Sequence, residues 1–390
     1  MVLLELIKMV SRKINLRIGV VHVDHGIRGS ASSHDAQFVL QHCKEADLDF
    51  FLYELNLNHH TSNLEELARE RRYTAIMDCK QKNDFTYAAT GHTKDDQAET
   101  IIYRLIRGSG MRGLSGMTYK RDDGLIRPLL SCSSTDIERF ALHNHIAYVS
   151  DETNQDLTLA RNLIRHEIIP LMKRINPSVV KTIANFSRIA REENTALDIL
   201  AGNLKDKTLV LDWKIVKVFD WEKLKDAPHA VVKRLIIQII SDMLNEPRGL
   251  DSIQIEAIMD VLQGRCRSHS IKRRLKITAA KTSLVFNMIQ KRPYYDMVVE
   301  KPGRYHIDTI NRSITIEYQK TKSGPLRLRS YLPGDRLQDK RVVKLLADHN
   351  IIEPLRVFWP ILLTGDNIVS VGGIRDTWTE GSLETIFPYA

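Results

Sequence analysis

The densest chemistry in the sequence lies between Gly91 and Met117, in GHTKDDQAETIIYRLIRGSGMRGLSGM. Asp95, Asp96 and Glu99 fall in the first turns of a predicted helix, where the macrodipole favours negative charge. Taken alone, that describes an acidic helix start and nothing more. Asp96 and Glu99 are three residues apart, however, so they share a face and can offer oxygen ligands to one Mg²⁺. The same helix carries Arg104 and Arg107 and runs into GSGMRG, a glycine-rich turn bearing Arg112. Carboxylates for a metal, followed by arginines and open backbone for phosphate, describe a nucleotide or RNA-backbone site.

Other motifs are weaker. His22-Val-Asp24-His25 lacks the remaining spacing of a zinc ligand set, and residues at such a strand end more often touch a nucleotide base or shape a turn. His143-Asn144-His145 reads as a solvated helix end rather than a nuclease signature. RNLIRHEIIP places Arg161 and Arg165 four apart on one helical face beside His166, either a solvated basic face or the continuation of a groove for a polyanion. From Gly264 to Ile277 there are six Lys or Arg residues, Arg273 and Arg274 among them, and no acid.

These residues need a frame. Leu16–Val23 is a continuous β-rich run ending in Asp24-His25-Gly26, of the kind buried in a parallel sheet. A helix over 33–46, a strand in FFLYEL, a long helix in NLEELARERRYTAIMDC, a strand in FTYAAT and the helix KDDQAETIIYRLIR follow. This β-α-β-α alternation predicts a doubly wound parallel α/β sheet, whose ligands sit past the carboxyl ends of the strands, where VDHG and Gly91-His92 fall. The pattern turns helical from about Asn176, in SVVKTIANFSRIAREEN and HAVVKRLIIQIISDMLNE, and short strands in RYHIDTI, SITIEY and LRLRSYL lead to a small mixed α/β end. The expected division is 1–190, 191–320 and 321–390.

The bulk properties agree with a multi-domain globular chain. It has 390 residues, 43% hydrophobic and 27% charged, which excludes disordered and coiled-coil classes. Fifty-seven Lys and Arg against 48 Asp and Glu leave a formal charge of +9, a lean toward phosphate-rich partners. Cys43, Cys79, Cys132 and Cys266 form no C-x-x-C pair, which argues against a disulfide framework or zinc ribbon and for a reducing compartment. No apolar run has the ~18 residues of a membrane span, so a cytoplasmic location is expected.

Together the motifs resemble the tRNA(Ile)-lysidine synthetases of the N-type ATP pyrophosphatase (PP-loop) group. The matching pieces keep the family's order: VVHVDHGIRGSAS, NLEELARERRY, GHTKDDQAETIIYRLIRGSGMRGLSGM, IRPLL, DETNQD with RNLIRHEIIP, then LPGDRL and WPILLTGDNIVSVGGIR. The resemblance implies an adenine nucleotide alpha hydrolase-like fold and ATP-dependent ligation of free L-lysine to the wobble cytidine of an isoleucine tRNA. It further implies that Asp96 and Glu99 hold Mg²⁺ or assist nucleophile deprotonation, and that Arg72 faces the phosphate or activated base. His22, Asp24 and His25 with Gly91 and His92 would line the ATP site. Arg104, Arg107, Arg112, Arg161 and Arg165 would guide the anticodon arm, while Arg273 and Arg274 in the helical domain and the C-terminal domain would grip the tRNA body.

One departure stands out. The family opens with a strand and an S-G-G-x-D-S loop whose amides bind pyrophosphate at a helix N-terminus. MVLLELI resembles the helix that follows that loop, so the expectation is a sheet missing its first strand, from an internal start or a truncation. A truncated chain would be a non-catalytic tRNA-binding remnant. A tRNA-thiolating relative is the other alternative, although such enzymes usually need reactive cysteines at strand ends. The sequence leaves a homodimer open.

Overall fold

The computed structural model describes residues 1–24, 30–55, 64–149, 160–246, 250–280, 282–289, 294–318, 325–377 and 381–385. His25, Gly26 and the DETNQD motif lie outside the described residues. The chain divides into two compact units, Met1–Asn194 and Thr195–Ala390.

The first unit alternates helix and strand: α1 (Val2–Ser11), β1 (Gly19–Asp24), α2 (Ser30–Glu45), β2 (Asp49–Glu54), α3 (Leu64–Lys82), β3 (Ala88–Ala89), α4 (Lys94–Ile106), α5 (Met111–Leu114), β4 (Leu125–Ile126) and α6 (Ser134–His143). β1 pairs in parallel with β2 and β3 in parallel with β4, as expected of strands joined by helical crossovers. β1 is half-buried along its whole length rather than deeply buried. β3 is shorter than the FTYAAT run suggests, because its partner β4 lies between the turn at Gly124, which has φ +89°, and Pro128, which has no N–H to donate.

α4 starts where its sequence says it should. The Thr93 hydroxyl accepts from the Asp96 N–H, while an Asp96 oxygen accepts from the Thr93 N–H at 2.7 Å, a reciprocal capping box. Ala98 and Ile102 turn inward against Ile164, Ile169, Val179 and Val180. After α7 (Ala160–Leu163), those partners belong to a π-helical turn (Ile164–Ile168), α8 (Ile169–Ile175) and α9 (Val179–Thr208). The π turn has a local cause. Pro170 cannot tolerate an ordinary helical carbonyl four residues back, and the Ile169 N–H instead reaches Ile164 O, five back.

The glycine-rich turn after α4 is fixed from inside. Gln97 donates to Met117 O at 3.1 Å and accepts from Met117 N at 2.7 Å, and Arg191 donates to Met117 O at 2.7 Å. Gly116 has φ +67°, and a Cβ there would sit 2.5 Å from the Gln97 amide nitrogen. Gly116→Ala is therefore expected to lower the unfolding free energy by about 2 kcal/mol in urea titration. An unchanged midpoint would mean that the turn is not locked in this form.

The second unit holds more strand than its helical periodicity suggested. After α9 come β5 (Leu209–Asp212), β6 (Val216–Asp220), α10 (Trp221–Lys225), α11 (His229–Leu244), α12 (Ser252–Leu262), β7 (Ser268–Ile271), β8 (Leu275–Ala280) and β9 (Ser283–Met288). The strands form one antiparallel sheet in the order β5-β6-β9-β8-β7. Its inner face, with Ile277, Leu284 and Phe286, packs with Leu235, Ile239 and Ile258 of α11 and α12. Strands of four to six residues carry too short an alternation to stand out against two long amphipathic helices.

β10 (Asp296–Val299), β11 (Gly303–Ile307), β12 (Arg312–Tyr318) and β13 (Leu326–Ser330) follow. Then come β14 (Arg336–Leu337), β15 (Lys340–Arg341), α13 (Val342–Asp348), α14 (Glu353–Arg356), β16 (Pro360–Thr364), β17 (Asn367–Val371), β18 (Arg375–Asp376) and β19 (Gly381–Thr385). They make the sheets β10-β13-β16-β17-β18 and β11-β12-β19 around a core that includes Ile314, Leu328, Phe358 and Trp359. The LPGDRL motif has a structural use here. Asp335 accepts both Arg329 nitrogens at 2.8 Å and the Leu332 N–H at 2.8 Å. Among the described residues no helix is long and apolar enough to cross a membrane.

Candidate active site

At the amino end of α4, Glu99 is only 4% exposed. A carboxylate so buried needs a cation, and Arg165 on the π turn supplies it. Arg165 donates from Nε to one Glu99 oxygen at 2.6 Å and from a terminal nitrogen to the other at 2.9 Å. The same terminal nitrogen lies 3.2 Å from Asp96 Oδ1. Burial raises the Glu99 pKa; hydrogen bonding and charge from Arg165 work against that rise, and Asp96 adds to it. Asp95 is turned elsewhere, accepting the first N–H of α6, Ser134, at 2.7 Å.

A group of arginines adjoins this knot. Arg69 and Arg72 of α3 lie over the Tyr73 ring, with guanidinium carbons 5.2 and 5.8 Å from its centroid, and Arg121 approaches it at 5.4 Å. Arg127, 4% exposed and just past β4, donates to Thr118 O at 2.8 Å. Burial alone would raise the Tyr73 pKa, but Arg127, Arg69 and Arg72 bring it below its usual value. Burial lowers the Arg69 pKa; Tyr73 opposes the shift, while Arg161, Arg72 and Arg127 deepen it. So many mutually repelling guanidinia form a ready seat for an anion.

His92 stands between the two groups. Thr90, directly after β3, is linked to His92 Nδ1 through its hydroxyl at 2.8 Å. Burial holds the imidazole down at about 4; Asp96 pulls upward, and Arg127, Arg69 and Arg72 push further down. The ring is therefore neutral at physiological pH. An unfolded imidazole takes up a proton near pH 6.5 and the folded one only near 4, so this group's stability contribution is lost as pH falls through that window. In an NMR titration the His92 ring signals should stay at their neutral positions down to pH 5 and move only near 4. Movement near 6.5 would mean that the ring is not buried as described.

The expected site residues fare differently. Arg72, His92, Asp96, Glu99, Arg161 and Arg165 come together, joined by direct bonds or by mutual electrostatic effect. At Gly91 the backbone is open, and a side-chain carbon placed there would have no neighbour within 4 Å. His22 and Asp24 lie on β1, half-buried, beside Leu52 and Glu54 of β2. Arg104 is spent internally, donating to Gly113 O at 2.7 Å within the glycine-rich turn. Arg107 is exposed and bonds the Tyr103 hydroxyl at 2.9 Å, and Arg112 is exposed on α5. In the second unit Arg273 is exposed in the β7–β8 turn, and Arg274 donates to Glu246 at 2.8 Å.

Arg69, Tyr73 and Arg127 were not anticipated from sequence. The signal was present in RERRY, which puts Arg69 and Arg72 on one helical face, and in IRPLL, which puts an arginine at a strand's carboxyl end. One of the four free cysteines, Cys132, meets the start of α4 through its backbone: the Lys94 N–H donates to Cys132 O at 2.8 Å.

Residues 1–172 match the PP-loop domain family. This part of the chain is similar to PP-loop domains. Its adenine nucleotide alpha hydrolase-like fold accounts for the parallel strand pairs with helices between them. The chain is 28% identical over 388 residues to the tRNA(Ile)-lysidine synthase of Solibacter usitatus, spanning 91% of this chain and 87% of that protein. It is 26% identical over 418 residues to the tRNA(Ile)-lysidine synthase of Caldanaerobacter subterraneus subsp. tengcongensis, spanning 96% and 86%. Among solved structures, a U34-tRNA thiolase from Methanococcus maripaludis is similar with TM-score 0.43 and 17% identity, over 49% of this chain and 67% of that one. The resemblance to lysidine synthetases thus extends from the PP-loop domain over most of the chain.

Proposed function

We propose that the chain is a tRNA(Ile)-lysidine synthetase. In this reading ATP adenylates the C2 oxygen of the wobble cytidine in an isoleucine tRNA anticodon, pyrophosphate leaves, and the amine of free lysine displaces AMP. The observation that carries the reading is the Glu99–Arg165–Asp96 knot beside neutral His92 and the Arg69–Arg72–Arg127 group. A cytosine carbonyl oxygen is a poor leaving group and AMP a good one, so the site must stabilise phosphate charge and accept a proton from the lysine ammonium.

The chain's residues divide that work. Arg69, Arg72 and Arg127 face the phosphates, and the open backbone at Gly91, with His92 and the end of β1, lines the adenosine. Asp96 and Glu99 put two carboxylates on one helix face, but Arg165 and Thr93 take up their oxygens and no third ligating side chain joins them among the described residues, so a divalent cation would have to displace Arg165. Mg²⁺ held there would supply positive charge to the pyrophosphate leaving group. The same carboxylates are the nearest acceptors for the lysine proton. Arg107, Arg112 and Arg161 serve the anticodon arm, and Arg273 and Arg274 the tRNA body, on domains divided near residues 190 and 320.

The test is to incubate the full chain with ATP, labelled lysine and an isoleucine tRNA transcript carrying the wobble cytidine. Label should enter the tRNA, with AMP and pyrophosphate formed in step. Binding of the tRNA without transfer would favour the tRNA-binding remnant, and sulfur incorporation from a donor would favour the thiolating relative.

A further inference from the structure

In the second unit, the sheet β5-β6-β9-β8-β7 hides one face under helices; on the other, Val216, Val218 and Val285 join a second core, while the end toward β7 carries polar residues. Leu275 and Ile277 go into the core, so alternation sends Lys276 and Thr278 to the opposite side. The ladder register sets Lys276 beside Asn287 and Thr278 beside Ser268. Such a polar end would ordinarily look into water. Here it floors a cavity of about 420 Å³, walled by Ile289, Tyr294, Glu353 and Val357. That size falls within the ~300 to 1,000 Å³ of small-ligand sites.

The lining is selective. Arg267 donates to Glu353 at 2.7 Å, so those two charges offset one another. Lys276 has no acidic partner among the described residues and leaves the cavity one net positive charge. Asn287 is 9% exposed, and among the described residues no side-chain hydrogen bond reaches its amide. Neither amide atom is sealed from solvent, so donor and acceptor are both open to a ligand in the cavity. Tyr294 supplies an aromatic wall, its ring set 4.5 Å from that of Phe358. An aromatic platform, a paired donor and acceptor, and one cation match a base, its hydrogen-bonding edge and its phosphate.

We infer that this cavity binds a single unpaired nucleotide of an RNA, with the base against Tyr294, its edge on Asn287 and its phosphate at Lys276. The choice of an RNA ligand rests on the function proposed above; the cavity and its chemistry do not. A free inorganic anion would leave the Asn287 amide and the apolar wall without a partner. A zwitterionic amino acid would need a carboxylate free of Arg267.

Photocrosslinking tests this without ATP, lysine or transfer activity. A single-stranded oligonucleotide containing 4-thiouridine is irradiated with the full chain and the crosslinked peptides are mapped. A crosslink on the peptide carrying Tyr294 is expected, and Lys276→Gln and Asn287→Leu should each cut its yield about tenfold. Crosslinks within residues 1–194 should be unchanged, as should the thermal midpoint of both variants. Excess cytidine monophosphate should compete, and equal inorganic phosphate should not. The inference is overturned if crosslinks fall only in residues 1–194, if both variants keep the Tyr294 yield, or if phosphate competes as well as the nucleotide. Loss of lysine transfer with the Tyr294 crosslink intact would count against the proposed reaction alone.

Discussion

Arg165→Ala is expected to lower lysine transfer on the order of 100-fold or more and to lower the unfolding free energy by about 1 to 3 kcal/mol. Glu99 has 5% of its side chain exposed and takes two charge-assisted hydrogen bonds from Arg165, so losing that partner leaves a buried carboxylate uncompensated. The Arg165 side chain is 38% exposed, and solvent screening keeps the cost below that of a fully buried pair. The pH dependence gives the effect a signature. Burial already raises the Glu99 pKa, and without Arg165 the main opposing influence is gone. A carboxyl whose folded pKa exceeds its unfolded one costs stability above both values and nothing below them. The deficit should therefore be largest at neutral pH and shrink as pH falls toward the ordinary carboxylate range. Urea titrations at pH 8 and 5 read this directly. Adding Glu99→Gln to Arg165→Ala should restore stability without restoring transfer. A deficit independent of pH would mean that Arg165 matters through packing rather than charge.

The parts of this site that sequence made legible are the local ones. Thr93-x-x-Asp96 writes its own helix start, and the three-residue spacing of Asp96 and Glu99 puts them on one face. The pairing of Glu99 with Arg165, 66 residues away, is not local. It depends on Ala98 and Ile102 packing against Ile164 and Ile169 and on the π turn imposed by Pro170, and no spacing rule contains either. Arg161 and Arg165 look alike on a helical wheel. Arg165 stands inside the π turn, and its guanidinium is bonded to both carboxylates. The basic run after Gly264 misleads in the opposite way. Its acid-free window suggests bare charge, yet Arg265, Arg267 and Arg274 pair with Asp260, Glu353 and Glu246 from outside it. Lys276, which looked like one more basic residue, gains its interest from the strand alternation that points it away from the core.

Asp96→Asn separates two duties that the wild-type side chain combines. One oxygen of Asp96 closes the capping box, accepting from the Thr93 N–H at 2.7 Å, while the other faces Arg165 at 3.2 Å. An asparagine oxygen can still accept from Thr93, so the unfolding free energy should change by less than about 1 kcal/mol, whereas Asp96→Ala should cost about 1 kcal/mol through loss of the cap. The charge disappears in both. Lysine transfer should fall on the order of 100- to 1,000-fold in each, with tRNA affinity in a filter-binding assay nearly unchanged. His92 supplies an independent readout. Asp96 is the charge that raises its pKa against burial and three arginines, so either substitution should push the imidazole below its present value of about 4. A mere gap in packing would admit water and move that titration the other way, upward. If tRNA affinity instead fell as far as transfer did, Asp96 would belong to RNA docking, and the cation seat would rest on Glu99 alone.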